Sequence, residues 1–314
     1  MSRKKIILLS VIGVLAVILA LQVGFGGGSA FKELTLDDGV QIDRITISSS
    51  DNGDLTFFKD NGEWTVTDKR YPGDKAKIEN LVEKLTTVKV VDTVSTRSLY
   101  ERYEVDDAHR VTVTAKQGDK VVRTLYIGKA SATSRQSYLL ADDDPKVLLV
   151  SGNYRRDFDK KAVDFRDKTV FAIDQQTITG IALAGTVKDG EGNFTVPVDA
   201  FTLSKDTSSG NWLIQGAVIT DGPAVDQEKV SNYLRGFASL SAADYETDGL
   251  DANADPLYSV QVTTLEGNYF LHIISKTDKG YYLCTASSNK YPFRLSSYNA
   301  EKFMKKITDF TSEK

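Results

Sequence analysis

Cysteine is almost absent from this chain. Cys284 is the one cysteine among 314 residues, so no intrachain disulfide can form. It sits in the alternating segment GYYLCTA, where a buried structural thiol is the expectation. Histidine is nearly as scarce. His109 and His272 are the only two, and each falls in an ordinary strand-like context. A cysteine nucleophile needs a base beside it. The sequence has no Ser-His-Asp order, nucleophile elbow or paired-histidine metal motif. We single out no catalytic, cofactor-binding or metal-ligating residue, and the ligand-binding residues stay unassigned. Clustered positive charge is lacking too. Lys and Arg number 39 against 43 Asp and Glu, a net charge of -4. Without Arg3, Lys4 and Lys5 the remainder holds 36 basic residues against 43 acidic ones. Phosphate contacts need clustered Lys and Arg, so nucleic acid is not an expected partner.

One long apolar run is present. After MSRKK come twenty uncharged residues, IILLSVIGVLAVILALQVGF (6–25). As a helix this stretch reaches roughly 30 Å, the thickness of a hydrocarbon core. Basic residues precede it and the acidic ELTLDD follows, so the positive-inside rule puts the N-terminus in the cytoplasm and the body outside. The competing reading is a cleaved signal peptide with GSA (28–30) as its small-residue site. Signal-peptide cores run about 7–15 residues, shorter than this one. No cysteine follows to carry a lipid. GFGGGSA (24–30) lacks the Lys-Ser/Thr of a phosphate loop and reads as a flexible tether.

The rest of the chain says things twice. In DKAKIENLVEKL, from Asp74, Ile78, Leu81, Val82, Leu85 and Val88 form one apolar stripe at helical spacing. In DQEKVSNYLRGF, from Asp226, Val230, Tyr233, Leu234, Phe237 and Leu240 repeat it 152 positions later. Asp74 and Asp226 stand as N-caps, and Lys77/Lys229 and Asn80/Asn232 keep the same offset. Before each helix comes a strand pair with a Trp: LTFFKDNGEWTV, whose Asn61-Gly62 signals a hairpin, and FTLSKDTSSGNWLI. After each come strand-like runs with turns at Gln117-Gly118-Asp119 and Glu266-Gly267-Asn268. Each copy then reaches a serine, Ser151 or Ser296, able to cap a last helix. Phe158/Phe303 and Lys160-Lys161/Lys305-Lys306 follow at an offset of 145. The expected fold class is therefore α+β. It comprises two tandem diverged repeats, each a mainly antiparallel sheet covered by an amphipathic helix, after an N-terminal transmembrane helix. The expected domains are residues 1–30 (stub, anchor and tether), 31–163 and 164–314, with FRDKTVFAID (165–174) as the bridge.

Several segments resemble the bacterial domain-of-unknown-function family 4340. They are NGEWTVTDKRYPGDKAKIENLVEKL (61–85), RYEVDD (102–107), YIGK (126–129) and FRDKTVF (165–171), together with the N-terminal anchor. DGLD (248–251) resembles the pattern from which YEVD (103–106) departs by lacking its glycine. The resemblance implies a membrane-anchored protein, because members of that family are so anchored. Many are encoded beside ABC-type export components and gliding-motility-like accessory proteins. The family supplies no catalytic residues to carry over.

The remaining clusters read as structure. DANADP (251–256) has oxygen ligands at calcium-loop positions 1, 3 and 5, but Pro256 stands at position 6 and Val262 at position 12. A capped turn before a strand is the expectation. ADDDP (141–145) reads as a solvated hairpin loop. NYRRDFDKKAVDFRDK (153–168) reads as an exposed helix laced with ion pairs. RYP (70–72) and KYPF (290–293) are aromatic segments able to line a cleft, whereas Trp64 and Trp212 are expected in the core. The expected protein is an extracytoplasmic, non-catalytic accessory or scaffold. It is held in the bacterial cytoplasmic membrane by one helix, beside an ABC-type permease or its subunits, and uses no cofactor. The alternative is a tethered binding module for a glycan, peptide or other solute.

Overall fold

The computed structural model of the chain describes residues 32–96, 99–215, 224–245, 251–277 and 280–312. The expected anchor (6–25), tether (24–30) and most of DGLD lie outside the described residues. Among those residues no helix is long and apolar enough to cross a membrane. The chain divides into two compact units between Phe165 and Arg166, inside the FRDKTVFAID segment. Both units are built mainly from antiparallel strands with few helices, an α+β architecture.

Unit 1 begins with β1 (Lys32–Thr35), β2 (Arg44–Ser49), β3 (Gly53–Asp60), β4 (Glu63–Val66) and β5 (Tyr71–Pro72). Helix α1 (Lys75–Thr86) and β6 (Thr87–Ser95) follow, then the one-turn α2 (Tyr100–Tyr103). The unit closes with β7 (Val111–Gln117), β8 (Lys120–Ala130), β9 (Gln136–Ala141), β10 (Val147–Ser151) and α3 (Tyr154–Phe158). The ten strands form one sheet in the order β1-β6-β10-β9-β8-β7-β2-β3-β4-β5. Its turns follow from their residues. Asn61 (φ 51°) and Gly62 (φ 87°) both take the left-handed conformation that a two-residue hairpin between paired Asp60 and Glu63 needs.

Strand alternation sorts the side chains. Ile45, Ile47, Val111, Val113, Leu125 and Ile127 face one side and pack with Ile78, Leu81 and Leu85 of α1, Tyr154 and Phe158 of α3, and Phe165. On the other side Val105, Leu140 and Val147 form a smaller cluster with Tyr100, Tyr103, Tyr126 and Tyr138. The stripe read from the sequence ran on to Val88, but α1 ends at Thr86 and Val88 lies in β6. The run Thr-Thr-Val-Lys-Val-Val is β-branched and favours the strand. In the same way Asn153, not Ser151, caps α3: its side chain accepts the Arg156 N–H at 3.0 Å, while Ser151 ends β10.

Unit 2 opens with β11 (Thr169–Phe171), β12 (Ile178–Lys188), β13 (Phe194–Lys205) and β14 (Trp212–Gln215). Helix α4 (Gln227–Leu234) and β15 (Leu240–Ser241) come next. Then follow β16 (Tyr258–Thr264), β17 (Asn268–Lys276), β18 (Tyr281–Ala286), β19 (Asn289–Ser296) and α5 (Ser297–Glu301). Seven strands form a sheet in the order β14-β13-β12-β16-β17-β18-β19, and β11 pairs with β15. The core is aromatic. Tyr233 packs against Phe237 (centroids 5.5 Å), Phe303 (6.0 Å) and Phe310 (5.1 Å), while Phe237 meets Phe303 at 4.9 Å. Here the serine expectation fits: Ser296 caps α5 by accepting the Asn299 N–H at 3.3 Å. The apolar stripe is again shorter than a continuous helix. Phe237 lies in a 3-10 turn and Leu240 in β15.

Candidate functional site

In each unit the helix that follows the Trp strand borders a cleft. In unit 1, Asp74 caps α1 by accepting the Lys77 N–H at 3.2 Å. Its own N–H donates to the Phe165 carbonyl at 2.7 Å, and the Lys77 ammonium donates to the Asp164 carbonyl at 2.9 Å. In unit 2, Asp226 accepts from Glu228 and Lys229 at 3.0 and 3.1 Å. Its N–H donates to the Phe310 carbonyl at 2.9 Å, and Lys229 donates to the Thr311 carbonyl at 2.8 Å. Each helix is thus tied to the last segment of its own unit, and a cleft runs along that seam. Short 3-10 turns set the segments: the Asp164 carboxylate accepts the Lys161 N–H at 3.2 Å, and Asp309 accepts that of Lys306 at 2.9 Å.

The two clefts differ in size and filling. In unit 1 the cavity is about 270 Å³, bordered by Lys77, Asn80, Leu81, Asp157, Lys160 and Phe165. An ion pair between Lys84 and Asp157 adjoins it, and the Lys84 ammonium lies 5.2 Å from the Tyr154 ring. In unit 2 the cavity is about 830 Å³, within the range of small-molecule sites. Lys229, Arg235, Lys302 and Lys305 line it, with Asp309 as the single carboxylate. Ten residues after its N-cap, unit 1 has Lys84 and unit 2 has Gly236. The residue before the buried Phe158 is Asp157, and the residue before the buried Phe303 is Lys302. A Cβ on Gly236 would stand 3.0 Å from the Phe303 ring and 3.6 Å from Cε of Lys302, so the Lys302 stem lies across the glycine. Burial lowers the Lys302 ammonium below its ordinary pKa.

A second concavity of about 390 Å³ lies on the unit-2 sheet among Ala182, Ala184, Ala200, Gln261, Phe270 and His272. Phe270 stacks on His272 with centroids 4.6 Å apart, and desolvation lowers the imidazole pKa.

The other segments noted in the sequence have structural work. Cys284 is fully buried, and burial pushes its thiol far above the usual range. His109 pairs with Asp106 at 2.7 Å. Asp251 accepts the Asn253 N–H at 2.9 Å, which makes DANADP a capped turn. In ADDDP, Asp142 accepts from Arg123 (2.7 Å) and the Thr124 N–H (2.8 Å), while Asp144 accepts the Lys146 N–H at 3.1 Å. Of NYRRDFDKKAVDFRDK, Tyr154 and Phe158 are core and Arg155 bridges Glu104 and Asp159 at 3.5 Å. Tyr71 and Phe293, from RYP and KYPF, are buried, as are Trp64 and Trp212. The carboxylate of Glu301 accepts from Lys188 (2.5 Å) and from the Tyr282 hydroxyl (2.7 Å). Desolvation first, then that carboxylate, raises Tyr282. Among the described residues no three His, Cys, Asp or Glu side chains gather as a metal site.

The unit-2 cleft was not foreseen from the sequence. Its signal was available as two charge changes between aligned positions, Lys84 to Gly236 and Asp157 to Lys302.

No curated protein and no solved structure matches the chain. A known family does match, over residues 64–261, from the Trp of β4 into β16. That stretch is more than half of the sequence, and the chain belongs to the family described as Domain of unknown function (DUF4340).

Proposed function

We propose that the chain is a non-catalytic accessory or scaffold protein, tethered to the bacterial cytoplasmic membrane by residues 6–25 with its body outside the cytoplasm. In this reading it stands beside an ABC-type permease or its subunits. The observation that carries the placement is the twenty-residue uncharged run behind Arg3, Lys4 and Lys5. Family membership supports the context, since the family's members are membrane-anchored.

We further propose that the body is a duplication of one α+β unit. The strand orders β4-β3-β2-β7-β8-β9-β10 and β14-β13-β12-β16-β17-β18-β19 support this. So do the capped helices tied to Phe165 and Phe310 by the same backbone bond. The perturbed groups have local causes. Burial raises Tyr154, Tyr233 and Tyr258, and turn N–H groups engage Asp189 and Asp206. Such groups serve the fold and suit a non-catalytic role.

Alkaline extraction of membranes and, on a separate sample, protease treatment of intact spheroplasts test the tether. The full-length chain is expected to stay in the pellet and its body to be digested from outside. Release into the supernatant would sink the reading. The unit-2 cleft favours a second reading, a tethered module that binds a solute.

A further inference from the structure

We propose that the unit-2 cleft is a binding site for an oxyanion, a phosphate or carboxylate group carried by a small solute. The proposal rests on the tethered-module reading and gives it a ligand class. Four cations, Lys229, Arg235, Lys302 and Lys305, border one cavity of about 830 Å³. None of them forms an ion pair with a carboxylate of the described residues. Asp309, the carboxylate in the lining, accepts the Lys306 N–H and so helps hold its own turn.

The corresponding cleft of unit 1 is built differently. It carries its own counterion. Lys84 and Asp157 pair with each other, both about four-fifths buried, and the cavity shrinks to about 270 Å³. In unit 2 the lysine position is Gly236, which removes a side chain, and the aspartate position is Lys302, which reverses a charge. The first change opens the cleft, and the two together leave the site one positive charge richer than its unit-1 counterpart. The Lys302 ammonium is partly desolvated and has the Phe303 ring 5.2 Å away but no carboxylate among the described residues, and a desolvated charge without a counterion is costly. An arriving oxyanion would supply the counter-charge that Asp157 supplies in unit 1. Bonds from Lys and Arg to such groups are among the stronger ones available to a protein. Lys302, whose stem rests over Gly236, is the residue whose role is most specific to this site.

The test is calorimetric titration of the full-length chain in neutral detergent with inorganic phosphate, citrate and dihexanoyl phosphatidic acid. The first two stand for a free solute and the third for a lipid headgroup. Saturable binding of one equivalent of phosphate or citrate is expected. Affinity should fall about tenfold or more in Lys302→Asp and in Arg235→Gln, a change equal to about 1.4 kcal/mol. It should weaken as salt rises, whereas Lys160→Gln in the unit-1 cleft should leave it unchanged. Melting curves check that each variant is folded, and exposed Arg235 gives a variant that does not burden the core. Equal affinity in wild type and both unit-2 variants would overturn the proposal. Saturation by the lipid probe alone, or by none of the three, would overturn it too. The tethered-module reading falls separately, only if neutral glycans and peptides also fail to bind.

Discussion

Arg123 carries its charge into the interior of unit 1. It is 5% exposed, and its guanidinium donates to the carbonyls of Leu85 and Leu34, both at 3.1 Å, and to Asp142 at 2.7 Å. Asp142 is 48% exposed, so water screens the ion pair and the carbonyl bonds matter more. Arg123→Met keeps the apolar stem but strands two acceptors, and should lower stability by about 2–3 kcal/mol in urea unfolding. A loss under about 0.5 kcal/mol would contradict that account. Cys284 gives a simpler prediction. Its thiol is buried and its pKa is raised by that burial, so it is neutral at pH 8 and shielded. A thiol reagent at pH 8 should label it only in denaturant; fast labelling of the folded chain would refute this. The thiol's burial was legible from the alternation of GYYLCTA. Arg123 was not, because its partners Leu85 and Leu34 lie 38 and 89 residues earlier and no periodicity announces such a contact.

At the scale of the element, the caps decide where helices start. Partial burial acts to raise the Asp74 carboxyl, but hydrogen bonds from the Lys77 side chain and N–H outweigh it and hold the pKa below 3.8. A depressed folded-state pKa stabilises the fold above the unfolded value. That contribution is lost as pH falls below about 4 and through the folded value. Asp74→Ala should cost about 1 kcal/mol at pH 7, and the difference from wild type should vanish under acid. A difference that persisted at low pH would show that the carboxylate is not its source.

Gly128 governs a different junction. A Cβ there would stand 2.1 Å from the Tyr103 carbonyl oxygen, so YIGK needs its glycine for RYEVDD to lie against β8. Gly128→Ala should cost about 3 kcal/mol or more, read from the urea midpoint; a neutral effect would contradict the packing. Glu104, at the position in YEVD that Gly249 holds in DGLD, sits at φ 57°, in the left-handed region that glycine occupies most easily. The starts of α1 and α4 were legible because caps are local chemistry, as was the Asn61-Gly62 hairpin, whereas α3 starts from Asn153 and not from the expected Ser151. The end of α1 at Thr86 was not, because an apolar stripe continues smoothly from a helix into the strand beyond it.

At the scale of the molecule, the account joins a tether to two α+β units of one strand order. Among the described residues the second unit's cleft holds no counterpart of the ion pair that adjoins the first. The proposed duplication was suggested in the sequence by aligned caps, tryptophans and phenylalanines. The cleft's character needed three dimensions, since α4 and the segment around Lys302–Ser312 meet only in the fold. The central claim is the protein's place beside an ABC-type permease. Its most direct test is crosslinking of the tagged full-length chain in its native membranes, followed by purification and mass spectrometry of what is attached. The account predicts reproducible enrichment of a permease or its accessory subunits. Recovery of the full-length chain alone, under crosslinking that captures other membrane complexes, would contradict it.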